Sequence, residues 1–174
     1  MTRHPRNLVL VGMSGTGKSR VGRLVAERLR WRFIDTDLEI QRATGRSVQE
    51  IFAADGEAAF RGIERDVVAR LARSNGAVIA TGGGAILDPT SRELLFGGNL
   101  VVCLEASAEQ IAARLARSRE RRPLLESADP LVAIRALQAD RAPIYALAHR
   151  KVSTDSRTLG EVTAEILDVL REHR

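Results

Sequence analysis

The stretch GMSGTGKS, residues 12–19, decides the fold of this chain. It follows the apolar run LVLV at residues 8–11 and precedes a helical pattern of apolar residues between positions 21 and 29. A strand, a loop reading G-x-x-x-x-G-K-S and a helix together form the phosphate-binding loop of nucleotide-dependent enzymes. The alternative is a chance glycine-rich turn, and the two flanking elements argue against it.

The residues of this loop have distinct expected roles. Glycines allow the backbone to approach a ligand closely. The amides of Gly12, Gly15 and Gly17, with those at the start of the following helix, would form an anion cradle. Lys18 is expected to reach the β- and γ-phosphates of a nucleotide, and the Ser19 hydroxyl is expected to hold Mg²⁺.

Length and charge limit the classes of protein to consider. The 174 residues predict a single domain spanning 1–174. The net charge of +5 is compatible with nucleic-acid binding, but only two of the 27 basic residues are lysines, and aromatic residues make up 3% of the chain. Few rings are therefore present to stack on bases. We expect no nucleic-acid partner, because the charge suits phosphorylated or carboxylated small molecules equally well.

Cysteine use and apolar runs indicate the compartment. Cys103, the single cysteine, lies in the apolar run at residues 100–104 and is expected in the core. The longest apolar runs contain four or five residues, far fewer than a membrane span requires. Residues 1–6 are basic but lack the apolar segment of a signal peptide. We expect a cytoplasmic protein with no membrane partner.

Strand candidates alternate with helical patterns along the chain. The candidates are residues 8–11, 32–34, 77–80, 100–104 and 151–153. Three of them are continuous apolar runs, which is typical of strands buried on both faces of a parallel sheet. This alternation predicts an α/β fold with a doubly wound sheet.

The helices have start signals of a common kind. In a capping box, a Ser or Thr side chain and a Glu or Gln three positions later satisfy each other's backbone amides. The pairs with this spacing are Thr36 with Glu39, Ser47 with Glu50, Ser107 with Gln110 and Thr158 with Glu161. Asp129 before Pro130 also predicts a cap, followed by proline at the first helical position.

Residues 117–128, RSRERRPLLESA, interrupt this regular pattern. The segment is dense in arginine and separates two predicted helices. Most charge runs are solvated loops. In a nucleotide kinase, however, an arginine-bearing lid closes over the phosphates and neutralises developing charge. Given the phosphate-binding loop, we favour a lid at about 117–128.

Polar and glycine residues follow two other predicted strands. Asp35-Thr36-Asp37 comes after the second strand, and Thr81-Gly82-Gly83-Gly84 comes after the third. Ligands of open parallel sheets bind at the carboxyl ends of the strands. One aspartate could face Mg²⁺ and the other a substrate hydroxyl, although either could simply cap the next helix. Three successive glycines would let a substrate approach the backbone, whereas a bare turn seldom needs three.

A predicted helix beginning near Glu57 carries an arginine next to a carboxylate. Arg61 and Glu64 are three positions apart and can pair on one face of the helix. An arginine fixed in this way suits bidentate recognition of a carboxylate or phosphate. The alternative is an ordinary surface ion pair.

Taken together, these motifs resemble shikimate kinase. GMSGTGKS, FIDTD, GEAAFRGIE, TGGGA, RRPLL and DRAPIY occur in this order over essentially the whole chain. The glycine loop alone is shared by many nucleotide-binding proteins, whereas the six motifs together are specific. The resemblance implies a P-loop kinase fold like that of nucleoside monophosphate kinases, with a five-stranded parallel sheet flanked by helices, a substrate-binding region at about 35–65 and a lid.

The resemblance also implies the ligands. The partners would be ATP and shikimate, with Mg²⁺ as cofactor, and we expect a monomer. Mg²⁺ would be held by Ser19 and, through water, by Asp35. The ATP-binding residues implied are Gly15, Thr16, Gly17, Lys18, Ser19, Arg20, Arg117, Arg122 and Arg157.

The substrate side is implied in the same way. Asp37 would bind the substrate hydroxyls and orient or deprotonate the attacking one. Arg61 and Arg141 would hold the carboxylate, and the backbone of Gly82, Gly83 and Gly84 would contact the substrate. The catalytic set implied is Asp37, Lys18 and Arg122. Arg121 is an alternative for the lid arginine, and the bulky Arg20 replaces the small hydroxyl residue frequent in the family.

The function implied is ATP-dependent phosphorylation of the 3-hydroxyl of shikimate, a step in chorismate and aromatic amino acid biosynthesis. The alternatives are another small-molecule P-loop kinase resembling gluconate or nucleoside monophosphate kinases, a regulatory module without turnover, and a nucleic-acid binder. FRGIE and TGGG argue against the first, and retention of Lys18, Ser19, Asp37 and Arg122 argues against the second.

Overall fold

A computed structural model describes residues 5–117 and 129–173. Five strands form one sheet in the order β2-β3-β1-β4-β5, with every neighbouring pair parallel. The strands are β1 (Asn7–Val11), β2 (Arg32–Asp35), β3 (Ala77–Ala80), β4 (Leu100–Glu105) and β5 (Arg150–Ser153). All five predicted strands and the predicted α/β class are confirmed. The predicted lid at 117–128 lies outside the described residues, apart from residue 117.

Helices pack on both faces of the sheet. They are α1 (Lys18–Leu29), α2 (Thr36–Thr44), α3 (Val48–Leu71), α4 (Pro89–Phe96), α5 (Ala108–Ala116), α6 (Pro130–Tyr145) and α7 (Leu159–Glu172). A short 3₁₀ turn, Ala85–Leu87, follows β3. No helix in residues 5–117 or 129–173 combines the length and apolar character needed to cross a bilayer.

Alternating side chains of the central strands form two cores. Leu8 and Leu10 of β1 pack with buried residues of α1 and α7 on one face. Val9 and Val11 point the other way and pack with α3, α4, α5 and α6. Because both faces are covered, the strands read as continuous apolar runs rather than as alternating ones. The three-layer arrangement leaves the loops at the carboxyl edge of the sheet to form a site.

Two of the predicted capping boxes are present in full, at Ser47 with Glu50 and at Thr158 with Glu161. The predicted Asp129 cap before Pro130 is also present. The helix expected to begin near Glu57 is the second part of α3, because Gly56 adopts a φ of 82° and interrupts the helical backbone.

The prediction that Thr36 caps a helix is wrong. Asp35 caps α2 instead, accepting hydrogen bonds from the amides of Asp37 and Leu38. Thr36 is fully buried in the first turn of α2, and its hydroxyl oxygen accepts a hydrogen bond from the Gly82 amide at 2.9 Å. A hydrogen bond to a loop distant in sequence has therefore replaced the local cap.

The capping box predicted at Ser107 and Gln110 is present only in part. Its hydroxyl accepts a hydrogen bond from the Gln110 amide, as a cap should. The Ser107 amide, however, donates to the carboxylate of Asp155 at 2.9 and 3.0 Å. Asp155 takes the place of the reciprocal Gln110 side chain because β5 runs beside β4 and brings its following loop to this helix start.

A buried polar cluster links three segments at the opposite edge of the sheet. Asn7 is fully buried, and its side-chain nitrogen Nδ2 donates to the Ser74 carbonyl at 2.7 Å and to Oδ1 of Asn99 at 2.9 Å. Its amide oxygen accepts from the backbone N–H of Ala77 at 3.1 Å, and the Ser74 hydroxyl oxygen lies 3.3 Å from it. Asn7 thereby satisfies polar groups that burial removes from water.

Replacing Asn7 by Ala is expected to lower the free energy of unfolding by about 3 kcal/mol, because it leaves the Ala77 N–H and the Asn99 amide buried without this partner. Urea denaturation of both proteins measures the difference. Thr163→Val is the control: its hydroxyl is buried and has no hydrogen-bond partner in the described part of the chain. We expect this change to cost less than about 1 kcal/mol. Equal losses in the two variants would contradict the role of the Asn7 cluster.

Candidate active site

The phosphate-binding loop joins β1 to α1 at the centre of the carboxyl edge. Gly12 has a φ of 133°, and a Cβ there would lie 2.3 Å from the Leu104 carbonyl oxygen, so only glycine fits. Gly17 precedes the first residue of α1 in a left-handed conformation and has no side chain to cap the helix. The open amino end of α1 therefore presents backbone N–H groups, which favour an anion.

Lys18 lies within this loop rather than in solvent. Its exposure is 8%, and its ammonium group donates to the carbonyl oxygens of Gly12 at 2.7 Å and Met13 at 2.8 Å. The contacts keep the charge hydrogen-bonded despite burial. They also place the cation at the base of the anion cradle, where it can bind nucleotide phosphates.

Ser19 and Asp35 are directly connected. The Ser19 hydroxyl donates to Oδ2 of Asp35 at 2.6 Å, while Oδ1 of Asp35 accepts from the Asp37 amide at 3.1 Å. Asp35 therefore caps α2 and also contacts the hydroxyl predicted to bind Mg²⁺. The two readings of this aspartate, as helix cap and as partner of the metal site, are both compatible with its geometry.

The donor set of Ser19 and Asp35 suits Mg²⁺. Hydroxyl and carboxylate oxygens are the ligands this hard cation prefers, and it usually keeps several waters and binds substrate phosphates. Within the described ranges, no group of three or more His, Cys, Asp and Glu residues could form an all-protein metal cage. A metal here would therefore be shared between Ser19, nucleotide phosphates and water.

Asp37 lies beside the triple-glycine loop after β3. A Cβ on Gly82 would approach Oδ1 of Asp37 to 2.8 Å and Oε1 of Glu64 to 3.2 Å. The bond from the Gly82 amide to Thr36 also ties this loop to the start of α2. The absence of side chains thus lets two carboxylates reach the same glycine, and the ends of β2 and β3 meet at this point.

The next glycine brings the loop against both α6 and the phosphate-binding loop. The Gly83 carbonyl oxygen accepts hydrogen bonds from Arg141 at 3.2 Å and from the Tyr145 hydroxyl at 2.5 Å. A Cβ on Gly83 would lie 3.2 Å from the Ser14 amide nitrogen. The predicted nucleotide and acceptor loops are therefore adjacent. Neither Gly83 nor Gly84 uses its N–H in a hydrogen bond within residues 5–117 and 129–173.

Arg61 and Glu64 form an ion pair on α3 whose carboxylate is buried. Nη1 of Arg61 donates to Oε2 of Glu64 at 2.6 Å, and Glu64 is 1% exposed, unlike an ordinary surface pair. A Cβ on Gly84 would lie 2.5 Å from Nη2 of Arg61. The guanidinium is thus fixed by a carboxylate on one side and faces the glycine loop on the other.

Burial dominates the ionisation of Glu64. Desolvation raises the pKa of this carboxyl above its ordinary value, the pairing with Arg61 lowers it, and the negative charge of Asp37 raises it further.

The thiol of Cys103, the single cysteine, is also buried. Burial raises its pKa to about 12, so Cys103 stays protonated and is not an activated nucleophile.

The other arginines that the resemblance implies for ATP binding differ in their surroundings. Arg20 and Arg117 are exposed. Arg157 donates to the carbonyl oxygens of Ser153 and Glu161 and pairs with Glu165 within its own segment. Arg122 and its alternative Arg121 lie outside the described residues.

Arg114 was missed from the sequence. On α5 it donates to the Gly15 carbonyl at 3.2 Å and to the Thr154 hydroxyl at 2.9 Å, and its second nitrogen donates to the Thr154 carbonyl at 3.1 Å. It thus links the phosphate-binding loop to the loop after β5. The available signal was a helical arginine just before the arginine-rich segment. Tyr145 was also missed, although it closes the DRAPIY motif.

Comparisons with known proteins agree with one another. A family model described as "Shikimate kinase" matches residues 14–171. A shikimate kinase of Symbiobacterium thermophilum is 49% identical over 168 residues, which cover 95% of this chain and 97% of the relative. A solved structure described as shikimate kinase from Acinetobacter baumannii in complex with shikimate has a TM-score of 0.91 at 36% identity, and the match covers 99% of this chain and 96% of that one.

A more distant structure shares the fold alone. A gluconokinase from Sinorhizobium meliloti is 22% identical with a TM-score of 0.58, and the match covers 98% of this chain and 94% of that one. The general architecture is therefore not confined to proteins described as shikimate kinases.

Replacing Glu64 by Gln tests the buried carboxyl. Because its folded pKa is raised, Glu64 contributes stability that is fully present below the unfolded pKa and is lost as the pH rises through the folded pKa. The stability of the wild type relative to this variant is therefore expected to fall as the pH rises above the pKa of an unfolded glutamate, about 4.3, and through the raised folded pKa. Urea denaturation at several pH values measures it.

Glu57→Gln is the matched control, because Glu57 contacts the same guanidinium but is 68% exposed. We expect a smaller pH-dependent difference for this variant. If the stability of the wild type relative to the Glu64→Gln variant instead increased with pH, burial would not be the main influence on the pKa of Glu64.

Proposed function

This chain belongs to the shikimate kinase family, and we propose that it transfers the γ-phosphoryl group of ATP to the 3-hydroxyl of shikimate. This reaction is a step in chorismate and aromatic amino acid biosynthesis. The adjacency of the phosphate-binding loop and the triple-glycine loop, at Ser14 and Gly83, is the observation that carries the proposal. A nucleotide phosphate on the first loop and an acceptor on the second would then lie next to each other, as phosphoryl transfer requires.

The proposed nucleotide side uses backbone and cation together. N–H groups of Gly15, Gly17 and the first turn of α1 bind the phosphates, and Lys18 exchanges its loop carbonyls for phosphate oxygens. Thr16 supports the loop, since its buried hydroxyl donates to the Met13 carbonyl at 2.8 Å. We assign Arg20, Arg117 and Arg157 to the nucleotide on the family resemblance alone.

Mg²⁺ is the proposed cofactor, held by Ser19 directly and by Asp35 through water. When bound, the ion neutralises charge on the β- and γ-phosphates. The cap hydrogen bonds that Asp35 accepts from the amides of α2 fix its carboxylate, and the carboxylate in turn orients the Ser19 hydroxyl. Chain residues thus set the position of the metal ligand before the nucleotide arrives.

The proposed acceptor side recognises one carboxylate and several hydroxyls. Arg61 and Arg141 bind the carboxylate, and both guanidinium groups lie beside the glycine loop, at Gly84 and Gly83 respectively. The N–H groups of these two glycines add donors that have no partner within the described chain. A planar carboxylate facing two arginines and backbone amides is strongly bound. Gly82 leaves room for the substrate hydroxyls next to Asp37.

Asp37 is the proposed base or orienting group. Its carboxylate accepts the hydrogen bond of the 3-hydroxyl, which points that oxygen at the γ-phosphorus. The O–P bond forms, the bond to the ADP oxygen breaks, and the hydroxyl proton leaves to the carboxylate or to solvent. Glu64 lies near the same glycine, Gly82, and pairs with Arg61. Asp37 would therefore orient the hydroxyl or accept its proton, while Glu64 would fix the arginine that binds the substrate.

The remaining assignments complete the proposal. Arg122, with Arg121 as the alternative, would close over the phosphates from a lid at 117–128. Residues at about 35–65 would form the acceptor-binding region within one domain, and Asp35, Asp37 and Arg61 all fall within this span. We further propose a monomer, on the family resemblance alone. ATP as co-substrate supports action in the cytoplasm.

An ADP-release assay with MgATP tests the proposal. Shikimate, quinate, gluconate and a nucleoside monophosphate are offered separately to the purified chain. We expect fast turnover with shikimate alone, because the two arginines match its carboxylate and Asp37 its hydroxyls. Turnover with gluconate in preference to shikimate, or with none of the four, would overturn the acceptor assignment.

Replacing Asp37 by Asn is expected to lower kcat by about 10²- to 10⁴-fold while nucleotide affinity stays within about twofold, because Asn can neither accept the proton nor orient the hydroxyl as a carboxylate does. Steady-state kinetics and calorimetric ADP binding measure the two quantities. Glu57→Gln is the control, since it removes an exposed carboxylate from the neighbouring helix. Unchanged kcat in the Asp37→Asn variant would remove Asp37 from the mechanism.

A further inference from the structure

Tyr145, the last residue of α6, carries a buried hydroxyl group that has no part in the proposed phosphoryl transfer. It is 6% exposed, and its hydroxyl donates to the Gly83 carbonyl oxygen at 2.5 Å. Burial raises the pKa of this phenol despite the nearby Arg141, so the hydroxyl keeps its proton and remains a donor. A short bond from a buried donor to the middle of the glycine loop points to a role at that loop.

The direction of the Gly83 carbonyl determines the direction of the following amide. The described peptide bonds include no cis bond, so the C=O of Gly83 and the N–H of Gly84 point to opposite sides of the same plane. With the carbonyl held towards Tyr145 on α6, the Gly84 N–H points away from α6. Arg61 lies against Gly84 on the α3 side of the loop.

The glycine residues alone would not fix the orientation of the peptide plane between Gly83 and Gly84. Without Cβ atoms, residues 82–84 have more accessible backbone conformations than any other tripeptide. Within residues 5–117 and 129–173, the Gly83 carbonyl receives two hydrogen bonds, from Tyr145 at 2.5 Å and from Arg141 at 3.2 Å. Arg141 also makes a side-chain hydrogen bond with the Tyr145 hydroxyl and is assigned to the acceptor carboxylate. Tyr145 makes the shorter of the two bonds to the Gly83 carbonyl and has no ligand assigned to it, so it is the main anchor of this plane.

The Tyr145 ring belongs to the buried core and also borders open space. Tyr145 borders a cavity of about 370 Å³ between β4, β5 and α6, with Cys103, Gln138 and Lys151 among its other walls. Buried side chains of the core pack against the rest of the ring, so the hydroxyl is presented to the Gly83 carbonyl from a fixed position.

We propose that Tyr145 is a positioning residue for the acceptor: by holding the Gly83 carbonyl, it turns the Gly84 N–H towards the carboxylate bound by Arg61. This inference rests on the proposed function, since it names a determinant of the same acceptor site. It assigns to Tyr145 a contribution to acceptor affinity and none to nucleotide binding or to proton transfer.

Tyr145→Phe tests the inference, because it removes the hydroxyl and keeps the ring. We expect the KM for shikimate to rise about 5- to 20-fold, with kcat and the KM for ATP within about twofold, since the lost interaction binds ground state and transition state alike. The methyl ester of shikimate provides the specific readout. Because it lacks the anionic carboxylate, its KM is expected to change by less than about twofold between the two proteins.

Ser74→Ala is the matched control. The Ser74 hydroxyl also donates to a backbone carbonyl, that of Leu71 at 2.7 Å, but at the opposite edge of the sheet. We expect it to leave the KM for shikimate unchanged even if the thermal midpoint falls. Rates are normalised to the nucleotide-binding fraction of each preparation, so partial unfolding does not imitate a loss of affinity.

Three results would overturn the inference. One is an unchanged KM for shikimate in the Tyr145→Phe variant, and another is an equal rise for shikimate and its methyl ester. The third is a variant that does not fold, which would assign the hydroxyl to stability. Wild-type protein that fails to use shikimate at all would instead refute the proposed function, so the two failures are distinguishable.

Discussion

Parallel pairing of β3 with both β1 and β2 is the constraint on which the site depends. Register matches Leu10 of β1 with Ala80 of β3, and Ala80 in turn with Asp35 of β2. Three neighbouring strands therefore end at the same level, and their following loops emerge side by side. This arrangement puts the phosphate-binding loop, the triple-glycine loop and the paired aspartates within contact of one another, although they are far apart in the chain.

The triple-glycine loop links these parts because it has no side chains. Gly82 donates to Thr36, Gly83 accepts from α6, and Gly84 faces the guanidinium of Arg61. A Cβ at Gly82 would displace the Asp37 carboxylate, and a Cβ at Gly84 would displace the Arg61 guanidinium. The cost is a loop with little intrinsic conformational preference. Its shape is consequently set by hydrogen bonds from the surrounding elements.

Much of the fold followed from local sequence patterns. Five strands and several helix starts were predicted because apolar runs and capping residues act over a few positions. The cap of α2 was predicted wrongly because Thr36 and Asp35 both suit the role. The choice was made by tertiary contacts, since Ser19 donates to Asp35 and Gly82 donates to Thr36. Arg114 was missed for the same reason, because its partner Thr154 is remote in sequence.

The sequence by itself determined the α/β alternation, the phosphate-binding loop and the family resemblance, since each is written in residue types at fixed short spacings. Only the tertiary structure decided which donors and acceptors meet. Tyr145 lies 62 positions from Gly83, and burial of the Glu64 carboxylate depends on helices and loops packed around it. A side chain's chemistry is set by its residue type, but its partner and its solvation are set by what the folded chain places within a few ångströms.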